Sequence, residues 1–203
     1  MKISIFGLGY VGCVTAGCLA SLGHKIIGVD IDPIKLKLLK AGKPTIKEPK
    51  INKLIEKFVN DKTIEITEDY VSAVKNSDIS FICVGTPPKN NDELNLDAVF
   101  KVAKNIGTVL ASKSSFHIIC TRSTVTPGTN KLLCDMLHIS SGKDPEIDYS
   151  VVSYPEFLRE GSAVDDFFDP SQVVIGSSSP LASKKLEKLN EGITKDIIFT
   201  QRF

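Results

Sequence analysis

Apolar residues recur along the chain in two alternating rhythms, short β-branched runs and longer stretches with helical spacing, and this alternation predicts a mainly parallel α/β sheet. Ile3, Ile5 and Phe6 suit a buried parallel strand. Residues 11–22 form an apolar helix rich in small side chains, and residues 25–29 read as the next strand. Helices are predicted over 33–41, 49–58, 68–76, 97–111, 127–137 and 181–190, and strands over 63–67, 79–84, 116–121, 149–153, 172–176 and 197–200. Asp32 precedes the first of these helices, Gly42-Lys43-Pro44 ends it, and Pro127 is expected at a first helical position. No repeat, low-complexity tract or linker interrupts the rhythm.

With 203 residues, 42% of them hydrophobic, the chain can bury one sizeable core, as one large domain plus a tail, and is too short for two lobes. The formal charge is +1 and the basic residues are scattered, which argues against nucleic acid as a partner. No targeting segment precedes the first strand, and the most apolar stretch is too short to span a bilayer, so a cytoplasmic protein without a membrane partner is expected. Cys13, Cys18, Cys83, Cys120 and Cys134 show no Cys-x-x-Cys spacing and no clustering with histidine, which predicts buried thiols and no metal.

Chemistry first enters at Gly7-Leu8-Gly9-Tyr10-Val11-Gly12, a G-x-G-x-x-G set between the first strand and the first helix. Gly7 permits the tight turn, Gly9 lets a pyrophosphate approach the backbone, and Gly12 lets helix and strand pack closely. The phosphates would meet the helix N-terminus, where free N–H groups favour anions. Asp30 closes the second strand 18 residues after Gly12, the place of a carboxylate that accepts from an adenosine ribose and repels a 2′-phosphate. NAD is therefore the expected cofactor and a Rossmann-like, doubly wound sheet with helices on both faces the expected fold. Lys35 is a candidate for the adenosine end, against the plainer alternative of a solvated lysine.

Three later strands end in loops of unusual composition, and in an open parallel sheet ligands sit beyond the carboxyl ends of strands. Gly85-Thr86-Pro87-Pro88 follows one, Arg122-Ser123-Thr124-Val125-Thr126-Pro127-Gly128-Thr129 the next, and Tyr154-Pro155-Glu156-Phe157-Leu158-Arg159-Glu160-Gly161 the third. Each loop taken singly is also what helix capping alone would select. Glu156 and Glu160, four apart, would share one helical face, which is commonly a solvated acidic face.

Together these words resemble the UDP-glucose/GDP-mannose dehydrogenase family, the nucleotide-sugar 6-dehydrogenases. The resemblance rests on Phe6 to Gly12, Gly28-Val29-Asp30, Cys83-Val84-Gly85-Thr86-Pro87, Arg122-Ser123-Thr124-Val125 with Pro127-Gly128-Thr129, and Pro155 to Gly161, in that order over nearly the whole chain. Ser80 to Pro87 and Ser141-Gly142-Lys143 are worded slightly closer to the GDP-mannose members. The resemblance implies oxidation of a sugar C6 hydroxyl to the uronate with two NAD, through a catalytic cysteine that carries a thiohemiacetal and then a thioester. It implies that Tyr10, Val11, Asp30, Lys35, Thr86 and Thr124 contact NAD. Glu156, Phe157, Leu158, Arg159 and Glu160 would line the nucleotide-sugar site, with Thr124 and Glu160 positioning the hydrolytic water.

Two departures accompany the likeness. Position 154 is Tyr where the family usually has Asn, and the family's nucleophilic cysteine sits in a glycine-rich segment of a second half that no cysteine here matches. Cys13, near the helix N-terminus, is the one thiol of the five with any claim to reactivity. Residues 1–203 are thus expected to be the N-terminal NAD-binding domain of a longer dehydrogenase, inactive alone. The parent is expected to form a homodimer or higher oligomer through a helix beginning beyond Phe203, whose absence would expose apolar residues near the last strand. Two alternatives stay open: half of a 3-hydroxyacid-type NAD dehydrogenase, with Lys184, Lys185 and Lys188 on its late helix, or a non-catalytic NAD-binding or subunit-interaction module.

Overall fold

The computed structural model describes residues 1–193 and 196–201, and there the alternating rhythm becomes one eight-stranded sheet. In chain order the elements are β1 (Lys2–Phe6), α1 (Tyr10–Ser21), β2 (Lys25–Val29), α2 (Pro33–Lys40), α3 (Ile51–Asn60), β3 (Ile64–Thr67), α4 (Tyr70–Lys75) and β4 (Ile79–Ile82). They continue with α5 (Asp97–Leu110), β5 (His117–Thr121), α6 (Thr129–Ser141), β6 (Tyr149–Ser153), α7 (Ala163–Phe168), β7 (Val173–Gly176), α8 (Pro180–Leu189) and β8 (Ile197–Thr200). The expected helix beyond Phe203 lies outside the described residues.

Strands lie in the order β3-β2-β1-β4-β5-β6-β7-β8. Neighbours are parallel throughout except β6 and β7, which meet antiparallel at one residue pair, Ser153 opposite Gly176. The chain winds outward from β1 in one direction and from β4 in the other, which opens a crevice above their carboxyl ends. Alternation along the strands feeds two cores. Ile3, Ile5, Phe81, Ile118, Cys120 and Val152 pack with residues of α1, α3, α7 and α8 on one face. Phe6, Val29, Ile82, Ile119 and Val151 pack with residues of α4, α5 and α6 on the other. Both faces are covered, as central parallel strands require.

The amino ends of the same strands close on themselves. Ser4 Oγ lies 2.7 Å from Ser80 Oγ and accepts from Ser77 Oγ at 3.0 Å, while Ser80 Oγ lies 2.7 Å from His117 Nε2. Burial, with Lys113 nearby, pushes the His117 imidazole down to a pKa of about 3, so it is neutral in the fold. Lys113 Nζ donates to the carbonyls of Val74, Lys75 and Ser77 at the end of α4, satisfying oxygens that a helix terminus leaves open.

Three local expectations are corrected. The helix predicted from Pro127 begins at Thr129, because Gly128 takes φ 86° and turns the chain first. The helix predicted from Pro49 begins at Ile51, after Lys50 at φ 67°. No helix carries Glu156 and Glu160, since residues 154–159 are irregular and the helix nearby is α7, which the hydrophobic pattern did not reveal.

Candidate functional site

The turn between β1 and α1 explains why glycine occupies its three positions. Gly7 has φ 90° and a Cβ there would lie 2.9 Å from Cys83 O, while a Cβ on Gly12 would lie 1.9 Å from Gly7 O. No side chain larger than hydrogen fits at Gly12 without moving backbone. Gly9 is different: it is the N-cap of α1, offers no side-chain cap, and a Cβ there would meet nothing within 4 Å. The first turn of α1 thus has no side-chain cap, with open space beside Gly9, and the N–H groups that a helix start leaves unpaired supply the cradle a pyrophosphate needs. Gly85, after β4, likewise has nothing within 4 Å of a built Cβ.

Asp30 is buried at the end of β2 and accepts from Leu8 N at 2.7 Å, Ile31 N at 2.8 Å and Asp32 N at 3.0 Å. Three amides fix the carboxylate and leave it about one further acceptor direction. Lys35 turns back toward it, with Nζ 3.6 Å from Asp30 Oδ2, so the plainer alternative of an unengaged lysine gives way to an ion pair.

The loops after β4 and β5 are laced together. Thr86 Oγ1 donates to Thr124 O at 2.9 Å, and Ser123 Oγ donates to Val84 O at 2.6 Å. Thr124 itself is exposed on that edge. Arg122 is buried, its guanidinium lying 4.9 Å from the centre of the Tyr154 ring, 5.7 Å from Phe167 and 6.0 Å from Phe81, a stack that favours a cation over ring faces.

The segment after β6 runs beside this crevice without regular structure. Glu156 folds back to accept from Leu158 N at 2.6 Å, Phe157 and Glu160 are exposed, and Leu158 is half-buried. Arg159 donates to both carboxylate oxygens of Asp166, at 2.7 and 3.2 Å, and chiefly this holds the Asp166 carboxyl down to a pKa of about 2. Tyr154 points inward: its hydroxyl donates to Asn190 Oδ1 at the end of α8, so the residue that stands in place of the resemblance's asparagine belongs to the core rather than the mouth.

One residue at this site carried no signal in the pattern. Glu48, in the connection from α2 to α3, is buried and accepts from Tyr10 Oη at 2.6 Å, Gly161 N at 2.9 Å and Ala163 N at 2.9 Å. Burial works against its charge, but these three donors outweigh burial and hold the carboxyl below its ordinary range. All five cysteines are buried. Desolvation raises the Cys13 thiol and pushes Cys18 and Cys83 up to about 12, which removes the candidacy of Cys13 as a reactive thiol. Lys185 of α8 lies over the Phe116 ring at 5.6 Å, beside the amino end of β5 and away from the crevice, so it offers no base for the 3-hydroxyacid alternative. Among the described residues there is no group of three or more metal-ligating side chains and no helix long and apolar enough to cross a membrane.

Residues 1–194 match the UDP-glucose/GDP-mannose dehydrogenase family, NAD binding domain. The chain is 43% identical to GDP-mannose 6-dehydrogenase of Pseudomonas syringae pv. syringae over 98% of its own length and 45% of the relative's. It is 40% identical to UDP-glucose 6-dehydrogenase TuaD of Bacillus subtilis over 98% of its own length and 42% of that protein's. A solved ternary complex of GDP-mannose dehydrogenase from Pseudomonas aeruginosa superposes with a TM-score of 0.97 at 41% identity, covering 100% of this chain and 47% of the other. The UDP-glucose dehydrogenase of Pyrobaculum islandicum superposes at 0.93 with 34% identity, over 99% and 46%. The chain thus spans just under half the length of these relatives.

Proposed function

Because the chain belongs to the UDP-glucose/GDP-mannose dehydrogenase family as its NAD-binding domain, we propose that it seats NAD, and one wall of the sugar site, in an enzyme oxidising the C6 hydroxyl of GDP-mannose or UDP-glucose to the uronate. The observation that carries the cofactor assignment is the uncapped α1 N-terminus at Gly9, facing open space beside a fixed Asp30. Bound NAD supplies the hydride acceptor. Tyr10, Val11 and Gly12 N–H groups bind its phosphates, Asp30 accepts from the adenosine ribose, and Lys35 stays at that end. Thr86 and Thr124 define the nicotinamide side. Glu156 to Glu160 face the nucleotide sugar, and Thr124 and Glu160 orient water at the acyl stage, the hydroxyl doing so without titrating. The five buried thiols support a nucleophile supplied from outside residues 1–203, so these residues bind cofactor without turnover.

The 43% identity to the GDP-mannose relative beside 40% to the UDP-glucose relative is in keeping with wording slightly closer to the GDP-mannose members. Residues 1–203 act as one cofactor domain of a longer cytoplasmic dehydrogenase. The exposed Ile198 and Phe199 on β8 suit burial against further chain or a second subunit, in keeping with a parent that forms a homodimer or higher oligomer. Calorimetric titration tests the cofactor site. Wild type is expected to bind NAD in preference to NADP, and Asp30→Ala to lose that binding while keeping its fold; equal binding by both proteins would remove Asp30 from the site.

A further inference from the structure

We infer that Glu48 is a positioning residue that ties the dinucleotide turn to the segment 156–161, so that the placement of Tyr10 and the order of the substrate-facing loop are set together. This rests on the function proposed above for those two stretches. The connection 41–50 joins α2 to α3 and contains none of the family words, yet it is fastened on both sides of the crevice. Toward the turn, Thr45 Oγ1 donates to Leu8 O at 2.7 Å and Glu48 Oε2 accepts from Tyr10 Oη at 2.6 Å. Toward the loop, Glu48 accepts from Gly161 N with Oε2 and from Ala163 N with Oε1, both at 2.9 Å, and Lys50 pairs with Asp165.

A single oxygen, Oε2, therefore serves both Tyr10 and Gly161. Displacing the phenol displaces the acceptor that holds the end of the loop. The loop has no ladder or helix of its own between residues 154 and 159, so its position depends on such side-chain anchors. Tyr10 Oη also stands 3.4 Å from Arg159 O, inside the same loop. Only an anion suits the position: three donors converge on two oxygens, and an amide would turn its own N–H groups against one of them. If NAD fixes Tyr10, then by linkage an ordered loop favours NAD to the same degree.

Amide hydrogen exchange on the 203-residue chain tests this, with NAD as the probe. In wild type, NAD is expected to slow exchange at Gly161 and Ala163. Tyr10→Phe keeps the ring and removes the hydroxyl; exchange at both amides should rise about tenfold without cofactor, the loss of one charge-assisted hydrogen bond. NAD should still bind this variant through the backbone N–H groups, more weakly by the lost coupling, yet no longer slow those amides, while amides of β1, β4 and β5 keep their wild-type protection, a pattern that general loosening of the fold does not produce. Glu48→Gln should behave alike. Unchanged exchange at Gly161 and Ala163 in Tyr10→Phe, or full retention of the NAD effect, overturns the assignment. Failure of wild type to bind NAD at all refutes the cofactor site instead, and the cofactor-free comparison still decides whether the clasp sets the loop.

Discussion

The two ends of the same central strands treat polar groups in opposite ways. At the amino ends of β1, β4 and β5, the Ser4, Ser77 and Ser80 hydroxyls and Nε2 of His117 bond one another, and Lys113 covers three carbonyls. At the carboxyl ends, Gly9 leaves the first turn of α1 uncapped and Gly85 leaves backbone against open space. One edge is closed largely by its own side chains, and the other is left for something else to finish. Binding capacity here is a matter of which hydrogen-bonding groups the fold declines to pair, and not of how polar an edge is.

The largest test of this contrast is Gly12→Ala. Its Cβ would lie 1.9 Å from Gly7 O, a backbone atom that cannot step aside, so the variant should lose about 3 kcal/mol of stability and all measurable NAD binding. Chemical denaturation and calorimetry read the two effects. Binding preserved in a folded variant would mean that the turn is not the cofactor's cradle.

Acid is the next largest and acts on the other end. His117 titrates near 3 in the fold against about 6.5 in the unfolded chain. Below about 6.5 the unfolded state takes up a proton that the native state refuses, so stability should fall by about 1.4 kcal/mol per pH unit, about 2 kcal/mol by pH 5. Urea midpoints between pH 7.5 and pH 5 should show the slope in wild type and a flatter one in His117→Gln; identical slopes would place the acid sensitivity elsewhere. The smallest effect belongs to Ser80→Ala, which leaves His117 and Ser4 one partner short and should cost about 1 kcal/mol. NAD affinity should not change in that variant, and a weakened titration would show that the two ends are coupled.

What the chain revealed before folding follows from the range of each signal. Strand β1, the G-x-G-x-x-G and Asp30 declare themselves within thirty residues because turn, helix start and strand end are neighbours in sequence as well as in space. Helix boundaries slipped where one backbone angle decided them, as at Gly128 and Lys50. Helix α7 escaped because Ala163–Phe168 is short and Ser162 gives it no side-chain cap. Its start is secured by Glu48, 115 residues earlier, at Ala163 N. Glu48 was invisible for the same reason: nothing in Thr45-Ile46-Lys47-Glu48-Pro49 marks a carboxylate that the fold will bury among three donors. Tyr154 read as a departure at the mouth of the site, and only the path of β6 shows its ring turned inward beneath Arg122.

The joint between β6 and β7 gives the sheet a seam. Six strands share continuous parallel ladders, whereas β7 and β8 ladder to each other and reach the rest through Ser153 and Gly176. Within the sheet, a load applied along the last strands would meet one rung of that ladder, with the Tyr154–Asn190 bond and the packing of α8 in the core it shares with α1 as the further ties. Like a perforation in a plate, the seam sets where the sheet tears first, and it lies two strands away from β4 and three from β1.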